Sequence, residues 1–394
     1  MMISVRLWTG YFGRRRKQSG KIESAKVCRM TERMRKKRMK SGEVTGRLQT
    51  QAAEAGKKHL VFLDVLRTFA FACIILYHFM IELEISNLYS FPDHGISYAN
   101  ANMHIATLGV SLFFIVSGAG LMLSARRRFD LKTYYKKRMT RILIPFYLVY
   151  FGYLCWRFIT EKRLPYVEGI PAWRFVFTLA GMDEYMSLFG ATFSLGIGEW
   201  FLGCLVLMYL LFPLLRWCME KNSRITMLAA TIYYVVLILV YPFQTPVHMN
   251  FFVKIYEFLL GMYLITRWNR IDRRVLWFSI PVVLIFVFCP VGIPIPNGFR
   301  ITLLSLAVFL LVIPFESFLS KRTRLIAVLK KVSTYSFEIY LVHHVVLQGW
   351  NKWFSDVYFR KQELLLLFLL DLIVMILLGV LVKQIEEKII ARLK

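Results

Sequence analysis

Beyond residue 58, apolar runs of about twenty residues recur along the whole chain, each the length a helix needs to cross the ~30 Å hydrocarbon core of a bilayer. The alternating or amphipathic patterns of a soluble chain of this size are missing. The pattern predicts an all-α, polytopic membrane protein with about ten transmembrane helices. They fall at roughly 60–80, 104–124, 141–160, 199–215, 224–242, 250–267, 274–291, 300–319, 333–352 and 362–383. Between 161 and 198 the pattern breaks down, with Pro165, Pro171 and several glycines around one apolar stretch near 172–180. That segment is expected to lie at the interface or to re-enter the membrane rather than cross it. The organisation that follows is a tail over 1–58 and one membrane-embedded domain over 59–394.

Polar positions inside these runs are few, and the first span concentrates them. DVLRTFAFACIILYH (Asp64 to His78) carries Asp64, Arg67 and His78 in an otherwise apolar helix. At about 100° per residue the eleven steps from Arg67 to His78 return to nearly the same direction, roughly 16 Å further along the axis. Asp64 and Arg67, three apart, are also surface neighbours. Ionisable groups in a bilayer are costly and usually face a polar interior or a water-filled cavity. One polar stripe running inward from the start of the span therefore marks a candidate site.

Four further segments carry candidate chemistry. GVSLFFIVSG (Gly109 to Gly118) is rich in small residues, which either let helices approach closely or make room for a substrate. Arg138 and Arg141 follow a dense basic loop that includes Arg126, Arg127 and Arg128. They share one face of the helix entering the third span, as an orientation signal or as a forked anion site. EWFLGCLVLMYLLFPLL begins with Glu199 and Trp200 at a membrane boundary; Glu199 is either a solvated carboxylate or an acid, base or ligand. STYSFEIYLVHH places His343 and His344 near mid-depth of the ninth span. They are buried structural residues or proton-transfer groups, and adjacent side chains diverge by about 100°, so one of them at most is expected to face the cavity of His78.

The net charge of +27 is unevenly placed. Residues 1–58 alone hold 17 Lys and Arg against four Glu. This stretch reads as a disordered cytoplasmic tail reinforcing topology, as codons upstream of a later start, or as an arm for anionic lipid; no nucleic-acid fold accompanies it. It is too long and too basic for a signal-peptide n-region, so the first span is expected to be a retained anchor. Loops 81–103 and 243–249 hold no Lys or Arg, whereas the alternate loops and the C-terminus are basic. The positive-inside rule then puts both termini in the cytoplasm. Six scattered cysteines show no metal or disulfide spacing, and no metal site is expected.

Taken together, the segments resemble the acyltransferase-3 family of integral membrane O-acyltransferases. The likeness covers about residues 60–385. It rests on Arg67 and His78 with ten residues between them, on GVSLFFIVSG, on Arg138 with Arg141, and on YLVH at Tyr340 to His343. The resemblance implies an enzyme of the cell membrane that moves an acyl group, acetyl by expectation, from acyl-CoA to a hydroxyl of a cell-surface glycan or lipid-linked sugar. It implies His78 as general base or transient acyl carrier and Arg67, paired with Asp64, holding the site or the donor carbonyl. Arg138 and Arg141 would lie near the CoA phosphates, and His343 is favoured over His344. Acyl-CoA would be the donor substrate with no permanently bound cofactor. Acceptor glycan and membrane lipids would be the partners, nucleic acid would not, and a homo-oligomer stays open. One position departs from the pattern: many members carry a Glu five residues after the Trp of the fourth span, where this chain has Leu205. That puts any carry-over of the Glu's role in doubt. A proton-coupled transporter is the rival reading, its inverted repeat not evident; a lipid-binding scaffold is a third, with no use for the stripe.

Overall fold

The computed structural model describes residues 59–91, 97–98, 103–125, 129–162, 171–190, 200–288, 294–354 and 357–393. The tail, Arg126 to Arg128, Glu199, Cys289 and Pro290 lie outside them.

Helices α1 (Val61–Ile85), α2 (Ile105–Ser124) and α3 (Leu131–Glu161) come first. Between α1 and α2, a two-residue ladder pairs Ser97 with His104 and Tyr98 with Met103, antiparallel. Two short helices follow, α4 (Phe175–Leu179) and α5 (Asp183–Ser187), then α6 (Trp200–Val240) and α7 (Phe251–Ile265). The chain ends with α8 (Leu276–Phe288), α9 (Asn297–Val312), α10 (Glu316–Leu319), α11 (Thr323–Trp353) and α12 (Lys361–Arg392). Among the described residues the two-residue ladder is the only departure from all-α.

Helix lies over each of the ten expected intervals, but among the described residues six helices are long and apolar enough to cross a membrane by length and composition. These are α1, α2, α3, α6, α12 and the stretch Asn297–Leu319. At 15 residues, α7 falls short of the ~20 residues of a straight crossing. The chain is a multi-pass membrane protein. α6 is two helices joined at Asn222, whose backbone is non-helical (φ −159°, ψ 92°) and whose side chain accepts from the amides of Arg224 (3.2 Å) and Ile225 (3.1 Å). That is an N-cap for the second half, and it restores the two expected intervals at 199–215 and 224–242.

Two helices begin about ten residues before their apolar runs. Asp130 accepts from the amide of Thr133 (2.7 Å) and so starts α3 at Leu131, well ahead of Arg141. α11 likewise starts at Thr323. Hydropathy marks where a helix enters the membrane, whereas a cap marks where it begins. The described part of the segment between α3 and α6 is a turn of 3₁₀ helix, α4 and α5, with Gly181 at φ +67° between the two helices. It folds over the start of α6, where the Cβ of Tyr185 occupies the space beside Gly203.

α2 is the most buried of the candidate spans and packs on α1, α7 and α9. Its contact with α7 is close enough that a Cβ on Gly118 would fall 2.1 Å from the Phe258 carbonyl oxygen. On Gly261 it would fall 1.8 Å from that of Ile115. The packing reading of the small residues thus holds for Gly118. Phe62, Phe114, Phe212, Phe258 and Phe309 fill the core around this pair, all fully buried. α3 and α12 are the least buried and turn large apolar side chains such as Phe151, Leu365 and Leu377 outward, as lipid-facing helices do.

Two buried charged groups of α7 are paired. Lys254 and Glu257, neither exposed at all, share α7 at i,i+3 and lie 2.8 Å apart. Lys254 also donates to Ser111 (2.7 Å), and Glu257 accepts from Thr302 (3.0 Å), which accepts in turn from Tyr234 (2.7 Å). Glu316 of α10 accepts from the backbone amides of Val61 (3.2 Å) and Phe62 (2.8 Å), supplying from a distant part of the chain the cap that α1 lacks at Leu60.

Candidate functional site

Helix α1 joins two cavities. Near its start, Arg67 donates from one guanidinium nitrogen to Asp64 (3.1 Å) and to Ser333 of α11 (2.6 Å). The expected Asp64–Arg67 pair is therefore formed, with Asp64 buried and Arg67 partly open. Arg67 borders a cavity of about 360 Å³ together with Arg138, Arg141 and Lys383. Sequence spacing allowed Arg138 and Arg141 to share a helix face; the fold brings that face to Arg67.

Local contacts account for the placement of these arginines. The hydroxyls of Tyr134 and Tyr135 donate to the carbonyls of Tyr209 (3.0 Å) and Leu210 (2.9 Å), tying the first turns of α3 to α6. Arg138 lies over the Tyr209 ring at 5.6 Å. Lys383 is held by Glu338 (2.9 Å) and Glu386 (2.8 Å), and Arg67 by Asp64, so Arg138 and Arg141 carry the excess positive charge. Ser117 and Gly120 of α2 also line this cavity, so the small residues of that helix serve both packing and space. Leu205, at the position of the family's Glu, faces the same cavity with an apolar side chain.

His78 lies three turns deeper on α1 and borders two other spaces. The larger, about 310 Å³, is lined by His78, His344, Glu184, Trp200, Tyr150 and Tyr340, among others. The smaller, about 80 Å³, lies toward Tyr77, His104 and His248. The three histidine rings pack together: His78 stands 4.9 Å from His343 and 4.4 Å from His344 between ring centroids. Of the adjacent pair, His344 lines the larger space with His78, while His343 is fully buried. The resemblance favoured His343, and the difference has a local cause. His343 Nδ1 bonds to the Tyr340 carbonyl one turn back, and since a carbonyl only accepts, Nδ1 carries the hydrogen. This fixes the ring against its own helix.

Glu184 was not found by the sequence reading. It lies on α5, in the segment without periodicity, and places a carboxylate at the edge of the larger space; burial raises its carboxyl above the usual range. Outside the spans, burial pushes His248 down to about 4, with Lys254 and His104 adding to the effect, so its imidazole is neutral. Nitrogen atoms of His78, His343 and His344 lie within 4.8 Å of one another, a grouping that three imidazoles holding a metal ion would also show. The sequence expectation was no metal.

The arrangement offers a positively charged cavity, a chamber of imidazoles and a carboxylate, and one rigid helix linking them. A family model described as an acyltransferase domain, that of the acyltransferase-3 family, matches residues 60–383. No curated protein and no solved structure matches the chain.

Proposed function

The chain belongs to the acyltransferase-3 family, and from that premise we propose that it is an O-acyltransferase of the cell membrane using acyl-CoA, acetyl-CoA by preference, as donor. One observation supports this most: the three-arginine cavity and the histidine chamber open at positions eleven residues apart on α1, roughly 16 Å along its axis. A long, narrow donor with phosphates at one end and a thioester at the other suits that separation. Arg138 and Arg141, with Arg67, bind the phosphates by charge-assisted hydrogen bonds from the cytoplasmic side. The thioester reaches the chamber.

There His78 takes the proton from an acceptor hydroxyl as its oxygen attacks the thioester carbonyl. The C–O bond forms, the C–S bond breaks, and the CoA thiolate leaves with the proton that His78 returns. His344 and Glu184 line the acceptor side, and His343 supports the other two rings. The acceptor is a hydroxyl of a cell-surface glycan or lipid-linked sugar. Both termini and the basic tail lie in the cytoplasm, ten segments cross, and residues 81–103 face outward.

Labelled acetyl-CoA given to purified protein with a surface-glycan acceptor should yield labelled ester. Solute uptake into vesicles without ester formation would instead make the protein a transporter. Topology is tested on its own: a Ser86→Cys variant should be labelled from outside intact cells, and labelling only after lysis would overturn the orientation.

A further inference from the structure

Beside the histidine chamber runs a second groove of about 450 Å³, formed where α3, α11 and α12 meet. Its lining is aliphatic and aromatic, including Leu148, Trp156, Val342, Val346 and Leu378. The one hydroxyl, on Tyr153, accepts a hydrogen bond from Arg157 (2.9 Å). Groove and chamber are neighbours that share Val149, Tyr153 and Val345 in their linings, and Val345 directly follows His344.

Two glycines keep the groove open. Gly152 on α3 and Gly349 on α11 both line it, and a Cβ built on either meets no atom within 4 Å. Glycine is disfavoured inside a helix, and here no close backbone contact calls for it, in contrast with Gly118 and Gly261. What the two absent side chains leave is room. The groove lies between α3 and α12, the two least buried of the candidate spans, so its open side faces hydrocarbon.

Within the reading proposed above, we infer that this groove holds the hydrocarbon chain of a lipid-linked acceptor, which enters sideways from the bilayer and presents its hydroxyl to His78 and His344. A water-soluble donor delivered through the arginine cavity needs no opening toward lipid, whereas an acceptor confined to the bilayer does. No charge lines the groove to demand a polar occupant, and its size is that of a small-molecule site.

The test uses the full-length protein in lipid nanodiscs, wild type against Gly349→Leu and Gly152→Leu, side chains for which the space exists. A dodecyl β-glucoside carrying a diazirine on its chain is photo-crosslinked, and the labelled peptides are mapped. Labelled acetyl transfer from acetyl-CoA to dodecyl and to methyl β-glucoside is measured in parallel. Crosslinks should concentrate in residues 148–156 and 342–353 and vanish in the leucine variants. The ratio of dodecyl to methyl rates should fall at least roughly tenfold in those variants, the low end of what losing the fit of a single methylene costs.

Crosslinks spread evenly over lipid-facing helices, or unchanged by the leucines, would overturn the inference. So would groove crosslinks with an unchanged rate ratio, which would make the occupant a solvating lipid. Displacement of the crosslinker by palmitoyl-CoA but not by unlabelled dodecyl glucoside would assign the groove to the donor's chain and equally overturn it. Wild type that acetylates neither glucoside counts against the transferase reading on those acceptors, while the crosslinking still decides the groove.

Discussion

Two polar clusters lie in the apolar interior of this protein, and they are built differently. Lys254 and Glu257 are sealed: each contacts the other, and Ser111 and Thr302 take up further hydrogen bonds. His78, His343 and His344 pack as closely, but His78 and His344 border open space. Both clusters bear the cost of placing polar groups away from water. In the first, the groups offset that cost against one another and fix how α7 sits on α2 and α9. In the second, the rings of His78 and His344 border the chamber. Closed pairing signals a structural role; pairing left open to a cavity signals chemistry.

The difference can be broken from either side. The largest effect on rate is expected at His78. His78→Gln keeps much of the size and hydrogen bonding yet cannot take a proton, so acyl transfer should fall about 10² to 10⁴-fold, the usual contribution of a positioned base. Its unfolding midpoint in detergent should match wild type. His344→Gln and His343→Gln should lose less. A well-folded, active His78→Gln would move the chemistry elsewhere.

Lys254→Met should behave in the opposite way, losing folded protein rather than turnover per folded molecule. It leaves Glu257 buried without its cation, which costs about 3–5 kcal/mol in buried pairs. Lys254→Met with Glu257→Gln should recover most of that stability. Thermal unfolding and monodisperse yield measure both. A stable single variant would show that the pair is not what holds α7 in place.

The smallest effects are expected from metal removal and from the tail. Extended dialysis against a chelator should leave transfer unchanged; a loss restored by added zinc would turn the three histidines into a metal centre. Deleting residues 2–38 should leave insertion and specific activity near wild type, because the remaining loops keep the positive bias. A correctly inserted but inactive truncation would give the tail a role in the reaction.

The sequence made one cluster far more legible than the other. Asp64, Arg67 and His78 stood out because they share a stripe in a run otherwise free of charge, and Arg138 with Arg141 because their spacing fits one helix face. Lys254 and Glu257 carry the same i,i+3 signal within FFVKIYEFLLG, but that run was read only as a span. Their partners Ser111 and Thr302 come from other helices, which no local pattern reveals. Glu184 sits where periodicity fails, so only the fold of α5 over α6 brings it to the chamber. The cap that Glu316 places on α1 spans more than 250 residues of sequence and is of the same kind. Spans were readable because hydropathy is local; where helices begin depends on caps such as Asp130, which a hydropathy pattern ignores.

The proposed function divides labour along α1, with the donor's phosphates held at the arginines and the reaction carried out at the histidines. It is tested most directly by titrating a non-reactive CoA analogue lacking the thiol into wild type, His78→Gln and the Arg138→Ala, Arg141→Ala double variant, beside saturated acyl-transfer rates for all three. His78→Gln should bind the analogue as wild type does and fail to turn over. The arginine variant should bind at least about tenfold more weakly, yet retain most of its rate at saturating donor, since phosphate contacts are made equally in ground and transition states. Unchanged binding in the arginine variant, or weakened binding in His78→Gln with its saturated rate preserved, would contradict the division.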